Sequence, residues 1–524
     1  MTASDRFEII RSLSDPGKTW DIIVVGGGAT GLGIVLDAAS RGYQTLLLEQ
    51  ADFAKGTSSR STKLVHGGVR YLAQGNIGLV REALRERGRL LKNAPHLVRN
   101  LSFIIPNYHW WEGMYYSIGL AFYDLLAGKW TFGRTKHISK QATLERLPGV
   151  EPKGLYGGVI YHDGQFDDSR LAINLAQTGM EQGAMALNYF KVTGLEKGGD
   201  QKLSGVIAED VETGKTYHLK AKAIINATGI FVDDLLQMDS PGKKPLVRPS
   251  QGVHLVFDRS FMPSHDALMI PKTDDGRVLF AVPWHDKLVV GTTDTPLEEH
   301  STEPVALEQE IEFILNNAAR YLAKAPQRKD VLSVFAGLRP LAAPQDESSK
   351  TKEISRGHKI IVSESGLITV TGGKWTTYRK MAEDTVDKAI ETARLNSALC
   401  RTQNLSIHGS RNNIDWEDHL YVYGSDREKL LALAGENKAW AEKLHPKYEY
   451  RQAEVIWAVR YEMARTIEDV LARRVRLLFL DANAAIEAAP LTARLMATEL
   501  DKNEQWENEQ IKAFTALAGK YLLY

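Results

Sequence analysis

The chain has one cysteine, Cys400, among 524 residues. A single thiol closes no internal disulfide and builds no cysteine-rich zinc cluster, a usage consistent with the cytoplasm. Net charge is missing as well: Lys+Arg 65 balance Asp+Glu 65. No long-range field therefore holds the chain on nucleic acid, although a local group of cations can still receive an anionic substrate. No run of about eighteen apolar residues occurs, so no stretch reads as a bilayer-spanning helix. The opening residues MTASDRFEIIRSLSDPGKTW lack the apolar core of a secretory signal and are expected to be a short structured lead-in. Fixed-period repeats and low-complexity tracts are absent too. What remains is an ordinary globular composition, 43% hydrophobic and 25% charged. At this length one hydrophobic core is not enough, and two or three domains are expected.

The strongest local signal follows the lead-in. DIIVV (21–25) is a β-branched apolar run of the kind buried on both faces of a parallel sheet. It leads into GGGATGLG, where Gly26, Gly28 and Gly31 have the G-x-G-x-x-G spacing, and then into a helical stretch. A second apolar run, QTLLLE, ends in Glu49, about twenty residues on. The first glycine permits the tight turn, the second lets backbone approach a pyrophosphate, and the third lets helix and strand pack closely. The helix N-terminus offers amides and a positive dipole end to phosphate. Glu49 is placed to accept hydrogen bonds from ribose hydroxyls. With strand, helix and terminal acid in register, a dinucleotide site is expected.

Further segments bear on which dinucleotide. TSSRSTK brings the hydroxyls of Thr57, Ser58 and Ser59, which suit a pyrophosphate or ribityl chain or a solvated loop equally. AKAIINATG ends in Thr228 and Gly229, and LITVTGG in Gly372 and Gly373, with an amphipathic helical pattern after Lys374. Strands so far apart that end in small residues suggest a parallel sheet assembled from separate segments. STKLVHGGVRYL (61–72) places Gly67 and Gly68 between His66 and the pair Arg70 and Tyr71. It reads either as a turn that needs room or as backbone pressed against a ligand.

Three stretches together, VVGGGATGLGIVLDAASRG, STKLVHGGVRYL and GGKWTTYRKMAEDT, resemble the FAD-dependent glycerol-3-phosphate dehydrogenases, within the amino-acid and glycine oxidase-like flavoproteins. The resemblance implies an α/β fold: a Rossmann-like FAD-binding domain, an inserted antiparallel-sheet substrate domain and a helical C-terminal cap. It implies FAD as cofactor, glycerol 3-phosphate as substrate, dihydroxyacetone phosphate as product, and a membrane quinone as acceptor with peripheral contact to the inner membrane. No nucleic-acid partner or metal is implied, and a homodimer is compatible. Gly67 and Gly68 would pass close to the flavin ring. Arg70, Tyr71, Arg339, Arg356 and Lys374 match substrate-pocket positions, and guanidinium forks suit a phosphate dianion. His254 or His66 is the expected base, with Arg339 or Lys374 lowering the hydroxyl's pKa. A glycerophosphate oxidase using O2, an amino-acid or 2-hydroxy-acid oxidase, and a non-catalytic flavin protein are the rivals.

The expected flavin domain comprises residues 18–95, 150–238 and 360–395. The substrate domain comprises 96–149 and 239–359, and the cap 396–524. MYYSIGLAFYDLLA (114–127), flanked by Trp110, Trp111 and Trp130, reads first as a buried helix with an aromatic face and second as a surface for lipid headgroups. Arg465, Arg473, Arg474 and Arg476 in the cap read first as a solvated face or an ion-paired domain interface, and second as a basic face for anionic lipid.

Overall fold

The computed structural model describes residues 3–72, 75–342 and 357–523. In chain order its main elements are strand β1 (Thr19–Val25), helix α1 (Ala29–Ser40), strands β2 (Thr45–Leu48) and β3 (Val98–Asn107), and helix α2 (Glu112–Ala127). Strand β4 (Gly157–Phe166), helix α3 (Asp168–Glu181), and strands β5 (Met185–Leu187), β6 (Thr216–Asn226), β7 (Val247–Asp258) and β8 (Lys287–Gly291) come next. Strands β9 (Val331–Ala342) and β10 (Ile368–Thr371) and helix α4 (Tyr378–Ala393) complete the set.

The first sheet contains the parallel series β10-β6-β1-β2-β5, with antiparallel strands at 190–197, 203–210 and 359–362 beside it. The three dispersed apolar runs therefore do lie side by side. Their residues are buried on both faces because α1 and its neighbours cover the sheet. Helix α1 is rich in small residues, which lets it pack closely. A methyl group at Gly33 would stand 2.8 Å from the ring of Tyr378 on α4.

The second sheet is mostly antiparallel. It pairs β7 with β8 and β9, and continues through shorter strands to β3 and β4. The expected bounds put residues 157–166 with the flavin domain. This strand instead pairs with β3 along its whole length, from Val98↔Phe166 to Asn107↔Gly157, and both its faces are buried, Ile160 in one apolar cluster and Val159 and Tyr161 in another.

Two further expectations change. Helix α2 is not buried around its aromatic face: Leu120, Tyr123 and Ala127 turn inward, while Ile118 is 67% and Leu125 73% exposed. Arg473, Arg474 and Arg476 are buried inside the protein, so they form no basic face for lipid. Arg473 and Arg474 both donate to Asp52, at 2.5 and 2.7 Å, and Arg476 donates to Asp168 at 2.9 Å. The ion-paired interface is thus the correct one of the two first readings. Arg465, nearer the surface, pairs with Glu212 at 2.9 Å. Apolar residues of this segment, including Ile467, Val470 and Leu471, share one core with Val256 and Phe335 of the second sheet.

Candidate active site

The site starts at the turn between β1 and α1. Gly26 has φ +109, and a methyl group there would stand 2.6 Å from the carbonyl oxygen of Ala227. One on Gly31 would overlap the carbonyl oxygen of Gly26. Both glycines are needed for β1, β6 and α1 to close on one another. Gly28 begins the helix, and the Ala29 amide donates to Ser58 Oγ at 2.9 Å. Ser58 thereby fixes the hydroxyl-rich loop beside the amide-bearing end of α1.

A cavity of about 440 Å3 opens here. Of the expected cofactor residues, Gly26, Gly28, Glu49, Thr57, Ser58, Thr228, Gly229, Gly372, Gly373 and Lys374 line it. Glu49 accepts the amides of Gly27 at 2.6 Å and Ala51 at 2.9 Å. Burial pushes its pKa up, and the two amides pull it back. Gly372 and Gly373, at φ +76 and +75, take a path that a side chain would strain. Trp375, which also lines the cavity, donates its indole N–H to Ser58 O at 2.9 Å. Trp375 is not among the expected cofactor residues, although it lies inside the GGKWTT stretch.

Four expected cofactor residues are not on the cavity wall. Gly31 acts through packing, as above. Ser59 is buried away from it. Gly67 and Gly68 lie beyond it. A methyl group on Gly67 would meet the Tyr123 hydroxyl and come within 2.6 Å of Leu84 Cδ2, so protein packing accounts for this glycine. Gly68, at φ +80, is in the left-handed region. His66 is half-buried, and its amide donates to Thr376 Oγ1 at 3.1 Å. Arg70 and Tyr71 sit in a short helix, Val69–Leu72, and Arg356 lies outside the described residues.

The second sheet touches the cavity at Pro340 of β9. Opposed residues of an antiparallel pair share a face, and the register Ser250↔Arg339, Gly252↔Gly337, His254↔Phe335 puts six residues on one. The loop 57–63 lies against that face. Thr57 donates to Leu338 O at 2.6 Å, and Gly337 leaves room for Arg60, whose Cβ would be 2.8 Å from a methyl group there. Arg339 donates to Thr293 O and Thr292 Oγ1, both at 3.1 Å, and its neighbour Pro340 lines the cavity. Lys374 lines the cavity itself, whereas Arg339 reaches its edge only through Pro340. His254 does not line the cavity and is 2% exposed. Burial, then Lys63 and Arg339, hold its pKa well below the usual imidazole value.

This arrangement has counterparts. A family model described as FAD dependent oxidoreductase matches residues 21–379, and one described as the C-terminal domain of alpha-glycerophosphate oxidase matches 370–510. The mitochondrial glycerol-3-phosphate dehydrogenase of Mus musculus is 40% identical over 535 residues, covering 95% of this chain and 72% of that one. The chain belongs to the FAD-dependent glycerol-3-phosphate dehydrogenase family. The family's Schizosaccharomyces pombe protein is 37% identical over 559 residues, covering 94% of this chain and 86% of that one. Among solved structures, the glycerol-3-phosphate dehydrogenase from Bacillus halodurans complexed with FAD is 30% identical, with TM-score 0.81 over 99% of this chain and 98% of that one. The L-alpha-glycerophosphate oxidase from Mycoplasma pneumoniae shares the fold, with TM-score 0.55 at 17% identity over 73% of this chain and 97% of that one.

FAD is the family's cofactor, and the residues fit it: an amide-bearing helix end, a carboxylate at the end of β2, and a roomy wall at Gly229, where a methyl group would meet nothing within 4 Å. Among the described residues no helix is long and apolar enough to cross a membrane.

Proposed function

We propose that the protein oxidises sn-glycerol 3-phosphate at C2 to dihydroxyacetone phosphate and passes the electrons to a membrane quinone. The observation that supports this reading is a cavity walled by Lys374 and by Pro340, the residue that follows Arg339 on β9. Bound FAD supplies the two-electron oxidant. Gly26, Gly28, Glu49, Thr57, Ser58, Thr228 and Gly229 hold it. Arg339 and Lys374, with Arg70, Tyr71 and Arg356, bind the phosphate and orient the carbinol. Several cations suit a dianionic phosphate, whereas one arginine serves a carboxylate. His254 is the base, kept uncharged by its surroundings. His66, tied to Thr376, orients the ring side of the site.

Quinone lives in the bilayer, and α2 supports contact with it. Trp110, Met114, Ile118 and Leu125 point outward, and Lys129, Arg134, Lys136 and Lys140 lie exposed nearby. Exposed apolar and aromatic side chains followed by exposed cations suit an anionic lipid surface.

Anaerobic mixing with glycerol 3-phosphate tests the reaction. The bound flavin is expected to bleach, and glycine or lactate is expected to leave it oxidised. A short-chain quinone should then restore the colour faster than oxygen. Flavin that stays oxidised with glycerol 3-phosphate removes the proposal. Faster recovery with oxygen favours the oxidase, to which the model matching residues 370–510 also relates.

A further inference from the structure

His254 has no open atom through which to meet a substrate. Its ring stacks on Phe335, with centroids 4.8 Å apart and planes 14° from parallel. Gly291 crowds it on β8, where a methyl group would stand 2.8 Å from the ring's Cγ. Nδ1 is buried and has no hydrogen-bond partner among the described residues. Nε2 has one, the hydroxyl of Thr62 at 2.9 Å. Thr62 is only half-buried. It belongs to the same loop that lines the cavity at Thr57 and Ser58 and rests on β9 at Leu338. A buried imidazole can serve as base only through such a neighbour.

The charges around the ring suit that use. The Lys63 ammonium lies 5.2 Å from the centroid of the Phe335 ring, the ring on which His254 stacks. Among the described residues, Arg339 is the other charged group acting on the imidazole. Lys63 itself donates to Ser59 O and to Asp168 Oδ2, both at 2.7 Å. Arg476 takes the other oxygen of Asp168 at 2.9 Å, while Asp167 is paired with His285 at 3.0 Å. The ring is therefore uncharged at neutral pH and keeps a lone pair.

We propose that Thr62 is a catalytic residue: its hydroxyl takes the proton of the substrate hydroxyl while handing its own to Nε2 of His254. The inference rests on the reading of His254 as base. In balance, the substrate O–H bond breaks, Thr62 Oγ1 gains that proton and loses its own, and the Nε2 lone pair becomes an N–H. The carbon-bound hydrogen leaves with its electron pair to the flavin oxidant of the reaction. A phosphate dianion on Arg339 offsets one of the two cations that depress the ring, so the ring becomes a better base only when substrate is bound. The relay needs the resting ring proton on Nδ1.

The test uses the flavin-loaded protein with Thr62→Val, Thr62→Ser and His254→Asn. Thr62→Val is expected to slow anaerobic flavin reduction roughly a hundredfold, in the range for one proton-transfer group, with flavin content and melting temperature unchanged. Thr62→Ser is expected to stay within a few-fold of wild type. Nitrogen NMR of labelled histidine is expected to show Nδ1 protonated and Nε2 bare in wild type and in Thr62→Ser. Wild-type reduction by Thr62→Val, or a resting proton on Nε2, overturns the relay. If His254→Asn is also as fast as wild type, the reading of the base has failed. If it is slow while Thr62→Val is fast, only the relay has. Should Thr62→Val lose its flavin, Thr62→Ser and the NMR signature decide alone.

Discussion

Gly67 shows how one residue's requirement depends on its neighbours. Its amide donates to the Tyr123 hydroxyl at 2.8 Å, and that hydroxyl donates to Asp163 at 2.8 Å. Arg87 holds Asp163 at 2.7 Å, and all four groups are buried. Gly67→Ala pushes a methyl group into this packed corner and is expected to cost about 1–3 kcal/mol, as overpacking does. Thermal unfolding should show a lowered midpoint, with normal flavin content in the protein that remains folded. A colourless but fully stable variant would instead assign Gly67 to the flavin. The Gly26, Gly28 and Gly31 pattern was legible from sequence, because its geometry is set within a single strand, turn and helix. Gly67 was not, because Leu84 and Tyr123 reach it from helices distant along the chain.

At the scale of elements, α2 and the arginine-rich cap segment exchange the roles that their compositions suggest. Helix α2 is rich in apolar residues yet much of it faces outward, since Leu120, Tyr123 and Ala127 are buried while Met114, Tyr115, Ile118, Phe122 and Leu125 are exposed. The cap segment is rich in charge yet lies inside, because each guanidinium finds a carboxylate supplied by another part of the chain. Uncompensated, such burial would be prohibitive. Replacing Ile118 and Leu125 by Ser is expected to weaken binding to anionic vesicles about tenfold, from lost apolar burial, and to leave flavin reduction by glycerol 3-phosphate unchanged. Sedimentation with vesicles measures it, and unchanged sedimentation would remove α2 from any lipid contact.

At the scale of the whole molecule, buried ion pairs join the three main parts. Asp52, in the turn after β2 of the first sheet, is held by the cap, and Lys63 and Asp168 sit where the loop 57–63, α3 and the cap meet. Burial lowers the Lys63 pKa to about 7, against an ordinary 10.5. Between those values the unfolded chain binds more protons than the folded one, so this group makes stability rise with pH. His408, raised to about 9 by Asp426 and Glu181 against its burial, acts oppositely between 6.5 and 9. The comparison must therefore be made between variants. From pH 7 to about 10, denaturant unfolding is expected to show wild type gaining stability relative to Lys63→Met. A difference independent of pH would mean that Lys63 keeps an ordinary pKa in the fold.

The sequence by itself determined the nucleotide-binding turn, the alternation of strands and helices, and the family, because these reside in short-range periodicity and in motifs whose parts are covalently close. Only the tertiary structure decided that His254 lies behind Thr62, that β4 joins the second sheet, that α2 faces outward and that the cap arginines are enclosed. Burial and ion pairing depend on which distant segments meet, and no local pattern encodes that meeting.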